Sequence, residues 1–282
     1  MKVMELNMAA ARKPDPDFPY QKLERRFAAN GAAYHERGTG EPLVLIHGVG
    51  MRLEAWQPQI EALSDRYRVI AVDMPGHGES VPLPRGSDLP AFVAWFGAFI
   101  DALALEQVNV AGHSMGALVS GGAVATYPQR IHRVALLNGV FCRDEAAKAA
   151  VLARAAAIET AGIDIDGPVK RWFGDDEASR LPRALTGAWL GHMDRHAYAT
   201  AYGAFAGGDT TYAHAWPKVG CPALFLTGSG DPNSTPNMAR QMAALCPQGV
   251  PRIIEGHRHM VNLTAPEAVN ALMREWLAVP AA

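Results

Sequence analysis

Cysteine is scarce in this chain, which has three cysteines in 282 residues, at Cys142, Cys221 and Cys246. An odd number of widely spaced cysteines does not provide a disulfide framework, and no pair has the spacing of a metal site. The ten histidines are scattered and form no metal-ligand motif. We therefore expect a protein of the reducing cytoplasm that uses neither a metal nor a cofactor.

The sequence also lacks an excess of charge of one sign, because 26 lysines and arginines oppose 28 aspartates and glutamates. This balance excludes the strong field that draws proteins to nucleic acids or to anionic membranes. No apolar run reaches the length of a membrane span, and the N-terminus lacks the basic and apolar segments of a secretory signal. With 49% hydrophobic residues, the composition predicts a soluble globular protein with a large core.

Apolar runs alternate with helical patterns along most of the chain. Continuous apolar runs are typical of buried parallel strands, and their alternation with helices predicts a parallel sheet with helices on both faces. The main predicted strands lie near residues 42–46, 67–72, 108–111, 133–138, 222–227 and 251–254. Between about residues 143 and 212 only helical patterns remain. We therefore predict an N-terminal arm (1–22), an α/β core (23–142 and 213–282) and a helical cap (143–212).

Two local signals refine this division. The Asn30-Gly31 pair between two short strand-like runs predicts a hairpin ahead of the first parallel strand. Thr264 and Glu267 have the spacing of a capping box, which predicts that Thr264 caps the last helix.

Residues 108–117 have the order strand, sharp turn and helix, and contain Gly-x-Ser-x-Gly with Ser114 at its centre. Only small residues fit beside a residue held in strained backbone angles, which explains Gly112 and Gly116. This arrangement predicts a nucleophile elbow, with the serine hydroxyl at a helix N-terminus that favours negative charge.

A serine hydroxyl is a weak nucleophile unless a base removes its proton. Asp231 and His259 follow Ser114 in the chain order Ser, Asp, His, and each lies in a loop after a predicted strand. The carboxyl ends of parallel strands gather at one edge of a sheet, so these side chains are expected to meet there. The histidine would take the serine proton, and the aspartate would hold the imidazole in the required tautomer. His257 is a rival base, whereas the position after the strand that ends at residue 137 holds Asn138 and no acid.

Five segments match motifs that recur together: residues 47–50, 73–80, 112–116, 228–231 and 259–267. In this combination the chain resembles the α/β-hydrolase fold superfamily, in its capped group of small esterases, lactonases and carbon–carbon bond hydrolases. The resemblance covers about residues 27–276. It implies an α/β fold with a mostly parallel, doubly wound sheet of about eight strands and a helical cap. It also favours His259 over His257 as the base, from its spacing to residues 266–267.

The resemblance further implies that the backbone N–H groups of Val49 and Met115 form the oxyanion hole, one on the loop after the first parallel strand and one after the nucleophile. The candidate substrate-binding residues are His47, Gly48, His113, Trp172 and Trp189. Structural roles for the two histidines and the two tryptophans, holding loops or the cap to the core, remain open alternatives.

The predicted function is hydrolysis of a small-molecule ester or lactone through an acyl-enzyme, by a monomer or homodimer. The alternative is a carbon–carbon bond hydrolase that acts on a vinylogous diketone from aromatic degradation. A third possibility is a non-catalytic protein that binds a small ligand, because fold alone does not determine function. Six cationic residues of the cap either include a clamp for a substrate carboxylate or face water: Arg154, Lys170, Arg171, Arg180, Arg183 and Arg195.

Overall fold

A computed structural model describes residues 22–281 of the chain. The predicted N-terminal arm therefore lies, apart from Lys22, outside the described residues. The strands are β1 (Arg26–Phe27), β2 (Ala33–Arg37), β3 (Pro42–Ile46), β4 (Arg68–Val72), β5 (Val108–His113), β6 (Ile131–Leu137), β7 (Ala223–Gly228) and β8 (Gly249–Ile254). The helices are α1 (Gln57–Leu63), α2 (Leu89–Ala102), α3 (Met115–Thr126), α4 (Glu145–Ala161), α5 (Asp166–Trp172), α6 (Glu177–Gly191), α7 (Arg195–Gly207), α8 (Pro236–Leu245), α9 (Val261–Thr264) and α10 (Pro266–Leu277).

The strands form one sheet in the order β1-β2-β4-β3-β5-β6-β7-β8. Strands β3 to β8 run parallel to one another, whereas β2 runs antiparallel to both β1 and β4. The predicted mostly parallel sheet of about eight strands is therefore confirmed. The hairpin prediction also holds, because β1 and β2 pair across the turn that contains Asn30 and Gly31.

Helices cover both faces of the sheet, because successive side chains of a strand point to opposite sides. Val44 and Ile46 of β3 enter one hydrophobic core, together with residues of α2 and α3. Leu43 and Leu45 enter a second core, to which α1 and α10 contribute. Among the described residues, no helix combines the length and the apolar character that crossing a bilayer requires.

Helices α4 to α7 form an insertion between β6 and β7. Three of its helices, α4, α6 and α7, begin directly after Asp144, Asp176 and Asp194, whose carboxylates accept backbone N–H groups of the first turn. Helix α4 packs along α7 and buries Val151 against it and the core. The insertion is thus a helical layer attached to the sheet rather than a second sheet.

The capping-box prediction at Thr264 is wrong. Thr264 is the last residue of the short helix α9, and its hydroxyl donates to the carbonyl of Met260 at 3.1 Å. Helix α10 begins at Pro266, after Ala265, with no side-chain cap. Because Thr264 already belongs to a helical turn, it does not have the extended backbone that an N-cap residue requires.

Close packing at the elbow leads to a stability prediction for two glycines. A Cβ at Gly112 would lie 2.0 Å from the carbonyl oxygen of Gly116, whereas a Cβ at Gly203, exposed on α7, meets nothing within 4 Å. We expect Gly112→Ala to lower the free energy of unfolding by about 3 kcal/mol or more. Gly203→Ala should raise it by about 0.5–1 kcal/mol, because alanine favours the helix. Urea denaturation of the two variants measures both changes, and equal effects would contradict the packing at the elbow.

Candidate active site

The loops after β3, β5, β7 and β8 meet at one edge of the sheet. Ser114 directly follows β5, Asp231 lies in the loop after β7, and His259 lies in the loop after β8. Parallel strands bring their carboxyl ends to the same edge, so residues far apart in the chain become neighbours. The structure brings these three predicted side chains together, and all three are buried.

Ser114 occupies the turn between β5 and α3 with a strained backbone, at φ 54° and ψ −111°. Its N–H donates to the carbonyl of Leu137 on the neighbouring strand at 2.9 Å, which holds the turn against β6. A positive φ is costly for a residue with a side chain and persists only where the surroundings enforce it. The strain directs the hydroxyl away from the sheet at the N-terminus of α3, as predicted for a nucleophile elbow.

A chain of hydrogen bonds runs from Asp231 through His259 to Ser114. Nδ1 of His259 lies 2.7 Å from Oδ2 of Asp231, and Nε2 lies 3.0 Å from Oγ of Ser114. The backbone of His259 is held on both sides, because its N–H donates to the carbonyl of Trp172 and its carbonyl accepts from Nε2 of His113. This geometry allows His259 to take a proton from the serine hydroxyl.

Asp231 is fixed by donors on both carboxylate oxygens. Oδ1 accepts the backbone N–H groups of Asn233 and Ser234, at 2.8 and 3.1 Å. Oδ2 accepts from His259 and from the side-chain amide of Asn138, which lies 2.8 Å away. Burial alone would raise the pKa of Asp231, but the charge and hydrogen bond of His259, with the other donors, lower the pKa below its usual value. The carboxylate therefore stays ionised beside the imidazole.

Asn138 is a site residue to which no sequence motif pointed. It follows β6 with a left-handed backbone at φ 50°, and its carbonyl accepts the hydroxyl of Ser234 at 2.6 Å. Its amide also donates to Oγ1 of Thr227, so it ties the ends of β6 and β7 together beside Asp231. The sequence does show a polar residue directly after a predicted strand. Its contact with Asp231 could be inferred only if the strand order, with β6 beside β7, were known.

The rival base His257 points elsewhere. Its Nδ1 lies 3.0 Å from the hydroxyl of Thr264, on the side of α9. Arg258, between the two histidines, donates to the carbonyls of Lys170 and Phe173 and so attaches this loop to α5 of the insertion. Of the two histidines, His259 is therefore the one that contacts the serine.

The predicted oxyanion donors flank Ser114. Met115 is the first residue of α3, so its N–H has no acceptor in a preceding helical turn. Val49 lines the cavity above the serine and lies on the loop after β3. A Cβ at Gly48 would lie 3.2 Å from the Cβ of Ser114, so a side chain there would crowd the nucleophile. The role of both N–H groups in stabilising an oxyanion stays a prediction.

Three buried histidines fix the loops around the site. His47 accepts the N–H of Met74 through Nε2, and His77 accepts the N–H of Gly50 in the same way. Burial lowers the pKa of His77 to about 4, and burial with the charge of His259 lowers the pKa of His113 to about 3. These neutral imidazoles are hydrogen-bonded to the backbone and hold the loops in place. Neither His47 nor His113 lines the cavity.

These histidines predict a loss of stability in mild acid. Their pKa values are lower in the folded protein than the ordinary 6.5, so the unfolded chain binds more protons as the pH falls below that value. Between pH 7 and 5 we expect each of His77 and His113 to remove about 2 kcal/mol from the free energy of unfolding. Urea denaturation at both pH values measures the loss, which should be about 2 kcal/mol smaller in His77→Gln and unchanged in His192→Gln, an exposed control.

A cavity of about 270 Å³ lies above Ser114 and His259, between the core loops and the insertion. This volume is close to the lower end of the range for small-molecule sites. Trp172 forms part of the wall, whereas Gly48 and Trp189 do not line the cavity. Trp189 is buried in the core cluster, which corresponds to the alternative that it holds the insertion in place.

Among the described residues that line the wall, the charged ones are all arginines. Of the candidates for a carboxylate clamp, Arg154 and Arg171 line the cavity, and so does Arg143, for which no sequence signal was recognised. Arg180 and Arg183 instead form ion pairs with acidic residues of the insertion and are partly or largely exposed.

The fold and the serine at its elbow define a protein of the α/β-hydrolase class. The model of the alpha/beta hydrolase family matches residues 43–272, and the chain belongs to this family. It is similar to a protein of Acinetobacter baylyi named (E)-2-((N-methylformamido)methylene)succinate hydrolase, with 50% identity over 87% of this chain and 94% of the relative. It is also 35% identical to a 2-hydroxy-6-oxo-2,4-heptadienoate hydrolase of Pseudomonas putida, over 38% of this chain and 40% of that protein.

Solved structures show the same fold. An enol-lactonase from Burkholderia xenovorans matches with a TM-score of 0.78 and 27% identity, over 90% of this chain and 99% of that one. An esterase from Thermogutta terrifontis matches with a TM-score of 0.81 and 24% identity, over 91% and 98% of the two chains. These structures support the architecture described above.

Proposed function

We propose that this chain is a serine hydrolase that cleaves a small amide whose leaving group is conjugated with a carboxylate. The observation that carries the proposal is the hydrogen-bond chain from Asp231 through His259 to Ser114, at the base of a cavity. The name of the Acinetobacter relative describes a formamide whose nitrogen is joined through a carbon–carbon double bond to a succinate. Half of all aligned residues are identical over nearly the whole of that relative, which supports a substrate of the same chemical type.

In the proposed reaction Ser114 attacks the formyl carbon while Nε2 of His259 takes the hydroxyl proton. The carbonyl oxygen becomes an anion and accepts the N–H groups of Val49 and Met115. When the carbonyl re-forms, the C–N bond breaks, and His259 delivers its proton to the departing nitrogen. A water molecule, activated in the same way by His259, then releases formate from the serine.

Conjugation of the leaving group lowers the barrier of the bond-breaking step. The electron pair left on nitrogen spreads through the double bond toward the carboxylate, so less charge accumulates on the departing atom. The names of the relatives therefore favour a conjugated leaving group, which the carbon–carbon bond alternative of the sequence analysis also has, over a simple ester or lactone.

A carbon–carbon bond hydrolase stays a second candidate. The Pseudomonas putida relative carries a name of this type, and the same serine chemistry cleaves a diketone when the leaving carbon is stabilised as an enolate. The match covers only 40% of that protein, so its support is smaller than that of the Acinetobacter relative.

Turnover of four substrates on one preparation tests the proposal: (E)-2-((N-methylformamido)methylene)succinate, a ring-fission diketone, an enol-lactone and a neutral phenyl ester. We expect the formamide to have the highest kcat/KM. A higher value for the diketone would select the second candidate. A higher value for the lactone or the phenyl ester would support hydrolysis of an ester or lactone instead. If none is cleaved and a serine-directed phosphonate leaves Ser114 unlabelled, the chain is a binding protein.

The proposal includes a role for the helical insertion and a location for the protein. Residues 143–212 act as a cap that shapes the substrate cavity, which is supported by the insertion residues in its wall. A cytoplasmic location is supported by Cys142, Cys221 and Cys246, all of which are free thiols.

A further inference from the structure

Three guanidinium groups line the cavity above Ser114, those of Arg143, Arg154 and Arg171. No aspartate or glutamate side chain among the described residues contributes to the same wall. A guanidinium charge is costly to remove from water, and of the three only Arg143 has a carboxylate partner among the described residues, Asp209, which does not line the cavity. The wall therefore has a surplus of positive charge that a substrate anion would neutralise.

Arg143 contacts Asp209 and Phe205, but its Nη2 group has no acceptor among the described residues. Its side chain is 5% exposed, its Nη1 lies 3.4 Å from Oδ1 of Asp209, and its guanidinium carbon lies 4.5 Å from the centre of the Phe205 ring. Asp209 also accepts the backbone N–H of Arg143 at 2.7 Å. In contrast, Nη2 of Arg143 is buried and has no acceptor among the described residues. A buried donor without an acceptor is costly, so a small side-chain movement that pairs it with a ligand carboxylate would be favourable.

Arg171 has the same property on a different helix. It lies on α5, and its Nε–H is buried without an acceptor in the part of the chain that the structure describes. Arg154 lies on α4, where its Nε donates to the hydroxyl of Tyr202 at 3.2 Å. The two arginines with unpaired donors thus come from separate segments of the insertion, and both residues line one cavity.

We infer that the substrate carries two carboxylates, and that Arg143 and Arg171 each bind one of them while Arg154 adds positive charge between the helices. Guanidinium groups bind carboxylates through paired N–H donors, which gives both affinity and orientation. Asp209 is then a positioning residue, because it anchors Arg143 without lining the cavity. This inference rests on the proposed function, since the same cavity holds the nucleophile.

Calorimetric titration of the whole protein with succinate, butyrate and dimethyl succinate tests the inference without any chemical step. We expect succinate to bind about 10- to 100-fold more tightly than butyrate, and dimethyl succinate to bind more weakly than succinate. Arg171→Met should weaken succinate binding by about 10-fold or more. Because Arg143→Met would leave Asp209 buried and unpaired, it is combined with Asp209→Asn, and the same loss is expected.

Arg180→Met is the matched control, because Arg180 is an exposed arginine of the same insertion that does not line the cavity. Its affinity for succinate should equal that of the unmodified chain. Equal binding of succinate and butyrate, or a loss in Arg180→Met as large as in Arg171→Met, would overturn the inference. Cleavage of the formamide without this binding pattern would contradict only the two-carboxylate site. Succinate binding without cleavage of any tested substrate would contradict only the proposed function.

Discussion

Replacing Ser114 with alanine is expected to lower kcat by about 10⁶-fold, the loss that follows removal of the nucleophile in other serine triads. The hydroxyl is the group that forms the covalent bond to the acyl carbon. Nε2 of His259 lies 3.0 Å from this hydroxyl, and alanine offers no group from which the histidine can take a proton. Because the side chain is small and its backbone is held by Leu137, the fold should persist. Steady-state kinetics with the best substrate, together with circular dichroism, measure both expectations.

Ser87→Ala provides the control, since Ser87 is a partly exposed serine that does not line the cavity above Ser114 and whose hydroxyl donates to the nearby carbonyl of Pro84. Its kcat should equal that of the unmodified protein. A Ser114→Ala variant that keeps activity close to the original level would remove the nucleophile from the proposal and with it the acyl-enzyme.

Replacing Asp231 with asparagine is expected to lower kcat by about 10³- to 10⁴-fold with the fold intact. The amide oxygen of the new side chain should stay where two backbone N–H groups, of Asn233 and Ser234, already donate. Its NH₂ group then faces Nδ1 of His259, where an acceptor is required. The imidazole is driven to the tautomer with its proton on Nε2, which cannot accept the proton of Ser114.

The rate of this variant, measured beside Asp65→Asn at an exposed ion pair with Arg274, isolates the effect of the buried carboxylate. We expect Asp65→Asn to be neutral. An unchanged rate in Asp231→Asn would mean that another group orients His259, and the hydrogen bonds of Asn138 would have to be reassigned.

Much of the core was predictable because its signals are local. Continuous apolar runs such as 42–46 coincide with β3, since a strand covered on both faces needs no polar positions. The elbow at Ser114 was equally readable, because a turn this tight allows only small residues at Gly112 and Gly116. Asp231 and His259 could be proposed because each lies in a loop that follows a strand of the same sheet.

Local sequence patterns did not predict the roles of residues whose contacts come from distant parts of the chain. Thr264 has capping-box spacing, yet it completes the preceding helical turn and contacts His257 instead. Asn138 became visible only when the sheet order put β6 beside β7, so that its amide reaches Asp231.

The sequence by itself determined the class of fold and predicted the candidate nucleophile and an acid and a base after later strands, because strand pattern, turn sterics and chain order are properties of short segments. Only the tertiary structure decided which histidine faces Ser114 and which arginines line the cavity. Arg143 shows the reason: its burial, its anchor at Asp209 and its unpaired Nη2 arise from contacts between segments more than sixty residues apart. Such contacts leave no periodic signal in the chain, since one surface arginine resembles any other until packing removes it from water.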